Sequence, residues 1–144
     1  MLKALALGLL LVLAGCAGVT SESNVYATLD EARAAHAIER GWVPDGLPVG
    51  TSDLREAHAG SSNWGLFSFP EAGANAVRAL TGRELPADVP GCNPPGRLEW
   101  WPRILRTPFD LTKVHDTGLR IYAGRDNRTY AINWNQGKAY YWKE

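Results

Sequence analysis

The 144-residue sequence holds only two cysteines, one methionine and three histidines. Its formal net charge is zero, with 15 basic residues against 15 acidic ones. These scarcities exclude several classes of protein. A neutral chain without a basic run lacks the electrostatic footprint of a nucleic-acid binder. His36, His58 and His115 lie far apart, and nothing local completes a metal-ligand pattern around any of them. The motifs GxSxG, GxxxxGK[ST], HExxH and CxxC are all missing. The sequence therefore points to no cofactor, no metal and no familiar catalytic nucleophile. It also has no internal repeat and no second apolar span. The apolar fraction of 45% is that of an ordinary globular chain and argues against disorder.

The strongest positive signal lies at the start. Lys3 supplies positive charge, and residues 4–14 are almost wholly apolar. That run suits the core of a signal peptide and is too short to span a bilayer as a helix. Leu13-Ala14-Gly15-Cys16 follows, a hydrophobic residue and two small ones before a cysteine. This resembles the lipobox of bacterial lipoproteins, in which the thiol accepts diacylglycerol and the chain is cut before the cysteine. An ordinary secretory signal with a chance cysteine is the alternative. The expected organisation is a signal peptide over 1–15, lipidated Cys16 with a small polar tether over 16–24, and one globular domain over 25–144. Several acyl chains on one residue hold a protein stably on a membrane. Ala17, rather than Asp, follows the cysteine, which resembles the signal for an outer membrane, with the domain facing the periplasm.

With Cys16 consumed by lipid, Cys92 is the other thiol and has no internal disulfide partner. Burial as a small apolar side chain is the favoured reading. Intermolecular pairing or capping, and a catalytic role, are the alternatives. The Pro90–Gly96 loop offers no helix N-terminus to activate the thiol.

Element signals predict an α+β fold, with two helices packed on an antiparallel sheet and a three-stranded meander at the C-terminus. Val25–Ala27 reads as a short strand. Thr28 reads as an N-cap, with Glu31 completing a capping box, for a helix from Leu29 to Arg40. Ala34, Ala35, Ile38 and Trp42 would share its buried side, and Gly41 would cap it. Strands are predicted over 51–59 and 64–69, with Ala59 opposite Trp64, Glu56 opposite Phe67 and Leu54 opposite Phe69. Alternation then places Leu54, Glu56, His58, Phe67 and Phe69 on one face. A second helix over 70–80 carries Gly73, Ala76, Val77 and Leu80 on its apolar stripe. Residues 83–96 read as irregular, and 98–105 is ambiguous between strand and helical turn. The final strands are placed at 118–123, 129–134 and 139–143, joined by two-residue turns at Asp126-Asn127 and Gln136-Gly137. That register puts Leu119, Ile121, Tyr130, Ile132, Trp134 and Tyr141 on one face, and Arg120, Tyr122, Ala131, Asn133, Tyr140 and Trp142 on the other.

Two groups of residues are candidates for function. Glu56 and His58 project from one strand face. A carboxylate there can fix a half-buried imidazole structurally, or it can orient a ligand contact or general base. Six tryptophans are many for this length. Some fill the core, while Tyr122, Tyr140 and Trp142 form a candidate binding surface that Trp100 and Trp101 could instead cover.

The segments Glu39-Arg40-Gly41-Trp42-Val43-Pro44, Asp53-Leu54-Arg55-Glu56-Ala57-His58, Asn63-Trp64 and Phe67-Ser68-Phe69 resemble small bacterial lipoproteins with a YbbD head domain. Ala139-Tyr140-Tyr141-Trp142 is also similar. The resemblance implies an envelope location and a shared fold, but no catalytic residues. The turn after His58 is shorter than in that group. The favoured expectation is a lipid-anchored, non-catalytic module that binds another envelope protein or a cell-wall component. A small hydrolase or transferase using Glu56 and His58, or a periplasmic inhibitor or immunity-type lipoprotein, are the alternatives.

Overall fold

The structure, a computed structural model, describes residues 21–85, 91–96 and 98–144. The signal peptide, Cys16 and the first residues of the tether lie outside the described residues, as does Pro90 of the Cys92 loop. The described chain is α+β. Seven strands form one antiparallel sheet in the order β1-β2-β3-β7-β6-β5-β4. They are β1 Glu22–Thr28, β2 Ser52–Ala59, β3 Ser62–Ser68, β4 Thr81–Glu84, β5 Arg120–Gly124, β6 Thr129–Asn133 and β7 Lys138–Lys143. The helices are short: α1 Leu29–Ala34, α2 Ala74–Leu80 and α3 Leu111–Asp116. Among the described residues no helix is long and apolar enough to cross a membrane.

β1 begins at Glu22, so residues 22–24 belong to the sheet and not to the expected tether. The Thr28 hydroxyl accepts from the Glu31 amide, as its capping role requires. The Glu31 carboxylate reaches back to the Ala27 amide, one residue beyond the usual capping-box partner. α1 stops far short of Arg40, because His36 adopts a left-handed conformation at φ 58°. The Ala37 and His36 amides bond the Ala32 and Arg33 carbonyls, which is a Schellman cap. A second such turn closes on Gly41, with Trp42 N–H on Ala37 O and Gly41 N–H on Ile38 O. Breaking the helix at His36 turns Ala34 and Ala35 out to solvent, against expectation, and buries Leu29, Ala32 and Ala37 instead.

β2 and β3 pair two residues away from the predicted register, with Ala59 opposite Ser62, Ala57 opposite Trp64 and Glu56 opposite Gly65. The loop between them is the two-residue Gly60-Ser61, with Gly60 left-handed. An even slip keeps every side chain on its predicted face. The β5–β6 hairpin differs by one residue. Its loop is Arg125-Asp126-Asn127, three residues with Asn127 at φ 64°, where a two-residue turn was expected. An odd slip flips a strand. Ile121 therefore pairs with Ala131 and Tyr122 with Tyr130, so Leu119 and Ile121 change faces with Tyr122. The β6–β7 loop has four residues, Trp134–Gly137, and again preserves the faces.

Both faces of the sheet are covered. On one, Tyr26, Leu54, Phe67, Tyr130, Ile132 and Tyr141 pack with α1, with Val43 and Leu47 of the crossing, and with Val77 of α2. On the other, Ala57, Trp64, Ile121, Ala131 and Trp142 lie beneath Cys92, Trp101, Leu105 and Val114. This second layer is built from 3-10 turns and from α3, which the proline-rich sequence hides. β4 at the sheet edge likewise falls where no strand was predicted.

Candidate functional site

The ladder explains why Glu56 and His58 acquire partners. β1 pairs with β2 so that Glu22 lies opposite His58 and Asn24 opposite Glu56. Next along the same row come Gly65 in β3 and Tyr141 in β7. A Cβ on Gly65 would collide with the Tyr141 ring, so the glycine leaves the space that this ring fills. The Tyr141 hydroxyl then donates to the Trp42 carbonyl at 2.9 Å. The Trp42 indole lies flat on the His58 imidazole, with centroids 3.7 Å apart and planes 6° from parallel. The Arg40 guanidinium stands 4.9 Å from the Trp42 ring centre.

Glu56 is fully buried, 0% exposed. One carboxylate oxygen accepts from the Asn24 side-chain amide at 2.6 Å, and the other lies 2.9 Å from His58 Nδ1. His58 Nε2 faces the exposed Glu22 carboxylate at 3.4 Å. Both imidazole nitrogens therefore look at carboxylates, and one ring face is sealed by tryptophan. Burial first, and then the nearby Glu56 charge, push the Tyr26 and Tyr141 hydroxyls above their ordinary pKa. Both phenols thus stay protonated at neutral pH and can act as donors.

Arg128 braces the same region. Its guanidinium bonds Asp126 at 2.7 Å, Gly41 O at 2.6 Å and Asn63 at 3.3 Å. Asp126 also accepts from the buried Tyr130 hydroxyl. This arginine ties the turn that carries Trp42 to β3 and to the β5–β6 hairpin.

The other candidate residues do not converge. The register slip puts Tyr122 on the opposite face from Tyr140 and Trp142. The proposed aromatic surface is therefore split. Trp101 covers its remainder, edge-on to Tyr140 at 5.7 Å and to Trp142 at 5.9 Å. Cys92 is buried, and its thiol donates to Leu105 O at 3.1 Å. Burial pushes that thiol up to about 12, opposite to the shift that activates a reactive thiol, and packs it as a core side chain. His36 is exposed beside Glu39, and His115 sits on α3, away from His58. Among the described residues no group of three or more His, Cys, Asp or Glu side chains could hold a metal ion.

Reading the sequence alone missed Glu22, Asn24 and Arg128. The first two were legible in principle, because Glu22, Asn24 and Tyr26 alternate as Leu54, Glu56 and His58 do. Arg128 acts from 65 positions beyond Asn63, and no local pattern announces it.

Residues 21–70 match the family model of the YbbD head domain. The matched stretch holds β1, α1, β2 and β3, and with them Glu22, Asn24, Trp42, Glu56 and His58. The resemblance read from the sequence is borne out over this segment, which does not reach Ala139–Trp142. No curated protein matches the chain, and no solved structure does.

Proposed function

We propose that this chain, whose residues 21–70 form a YbbD-head-domain-like unit, is a lipid-anchored cell-envelope protein that binds another envelope component and catalyses no reaction. The anchor rests on the lipobox ending at Cys16. The non-catalytic reading rests on one observation: His58 is closed in. A general base needs a ring nitrogen within reach of a substrate proton. Here Nδ1 meets Glu56, Nε2 meets Glu22 and Trp42 covers a ring face. The cluster is a polar clamp that fastens edge strand β1 and the Trp42 turn to the sheet.

Metabolic labelling with a fatty-acid analogue tests the anchor. Label should enter the parent chain and be absent from Cys16→Ser; equal labelling of both would contradict the anchor. The binding half is tested by cross-linking in whole cells. A cross-link to an envelope component should persist in a folded His58→Gln chain. Its loss with unchanged melting would place His58 in the binding site.

A further inference from the structure

We propose that the groove between α2 and the β6–β7 loop binds a neutral glycan strand. This rests on the envelope-binding reading above and names the ligand class. The groove encloses about 700 Å³, within the range of small-molecule sites. Its walls include Glu71, Asn75, Arg78, Trp134, Asn135 and Gln136.

The floor is rigid. The Phe69 amide donates to Gly137 O at 2.8 Å, and Gly137 is left-handed at φ 63°. A Cβ there would run into the Phe69 carbonyl, so the loop can seat this closely only on glycine. Trp134 is held edge-on by Phe69 and Tyr122, and its indole N–H donates to the Tyr122 hydroxyl at 2.9 Å. With that donor used inside the domain, the half-buried ring offers a ligand no hydrogen bond, only the surface that Phe69, Tyr122 and Arg78 leave uncovered. The Arg78 guanidinium stands over the ring, 4.5 Å from its centre, and also donates to the Asn75 side-chain oxygen. Asn135 and Gln136 are exposed on the loop beside it.

This chemistry narrows the ligand. An acyl chain or apolar peptide would find little apolar surface here, because three side-chain amides, a carboxylate and a guanidinium dominate these walls. A polyanion needs several cations, whereas Arg78 is the one basic side chain among these walls and Glu71 offsets it. Side-chain amides both donate and accept, which suits ligands dense in hydroxyl or acetamido groups. The part of the fixed indole that Arg78 leaves uncovered suits the C–H face of a pyranose ring. A saccharide meets both demands.

Isothermal titration of the full chain in a sugar-free zwitterionic detergent tests this, with chitotetraose and cellotetraose as probes. The parent should bind at least one of them with a Kd near or below about 1 mM. Asn135→Ala combined with Gln136→Ala should weaken that binding about tenfold, with unchanged melting because both side chains are exposed. Trp134→Ala should abolish it, and if that variant does not fold, the double variant decides. No binding of either sugar by a parent chain that melts normally would overturn the proposal, as would equal binding by parent and double variant. Either failure, with Cys16 still taking fatty-acid label, would leave the anchored-module reading in place.

Discussion

Cys92 shows how the fate of a residue depends on contacts that its own neighbourhood does not reveal. Its loop is rigid and irregular, which is compatible with a reactive thiol or a buried one. The decision comes from Trp101 and Leu105, which close over it from further along the chain. The consequence is a pH signature. The unfolded chain releases this proton near the ordinary value of 9.0, while the fold holds it to about 12. The unfolded state therefore binds fewer protons between those limits. Stability is full below pH 9 and falls as pH rises across that window. The buried tyrosines Tyr26, Tyr130 and Tyr141 add to the loss from about pH 10 upward, since their pKa values are raised as well. Cys92→Ser should cost roughly 1 kcal/mol at neutral pH and remove the part of the alkaline decline that begins near pH 9. Urea unfolding at pH 7, 9 and 10.5 measures both. A variant that declines from pH 9 as steeply as the parent would contradict the buried-thiol assignment.

At the scale of elements, the sequence was legible where a local rule governs and misleading where loop length does. The Thr28 cap, the alternation through Leu54, Glu56 and His58, and the three C-terminal strands could all be read from side-chain pattern. The face carried by β5 could not, because it turns on whether the Asp126-Asn127 loop holds two residues or three. Nothing in the alternation of Leu119 and Ile121 distinguishes these cases when both faces of the sheet are buried. Nor could the end of α1 be read, since histidine is an unusual left-handed cap. The same feature makes His36 a strained stop. His36→Gly should stabilise the chain by about 0.5–1 kcal/mol, as the side chain is exposed and its pairing with Glu39 is a surface contact. A thermal melt reads this as a rise, and a fall would mean that His36 makes a contact worth more than its strain. Gly65 represents the opposite case, an element that works because a side chain is missing. Gly65→Ala should push Tyr141 off its seat and cost about 2–3 kcal/mol, the usual range for overpacking a core. It should also loosen the Trp42 turn that Tyr141 holds, which hydrogen exchange at the Trp42 and Val43 amides would detect. Unchanged exchange and melting would show that the ring has room to move.

Over the whole molecule, one sheet serves two purposes. Its middle is an apolar core on both faces, while its β1 edge is secured by a polar cluster of Glu22, Asn24, Glu56, His58 and Trp42. A buried carboxylate is tolerable only when it is paired and hydrogen-bonded, and removing one partner leaves an uncompensated group in the interior. In this account the cluster holds the edge strand and the Trp42 turn in place, so its loss should be felt in global unfolding and not in a chemical step. The most direct test is a double-mutant cycle on urea unfolding of the full chain, using Glu56→Gln, His58→Gln and the combination. Each single change should lower the midpoint clearly, and the double should be less damaged than the sum by about 1–3 kcal/mol, the range for residues in direct contact. Near-parental midpoints in both single variants, or additivity within about 0.3 kcal/mol, would contradict the clamp and return Glu56 and His58 to the list of candidate catalytic groups.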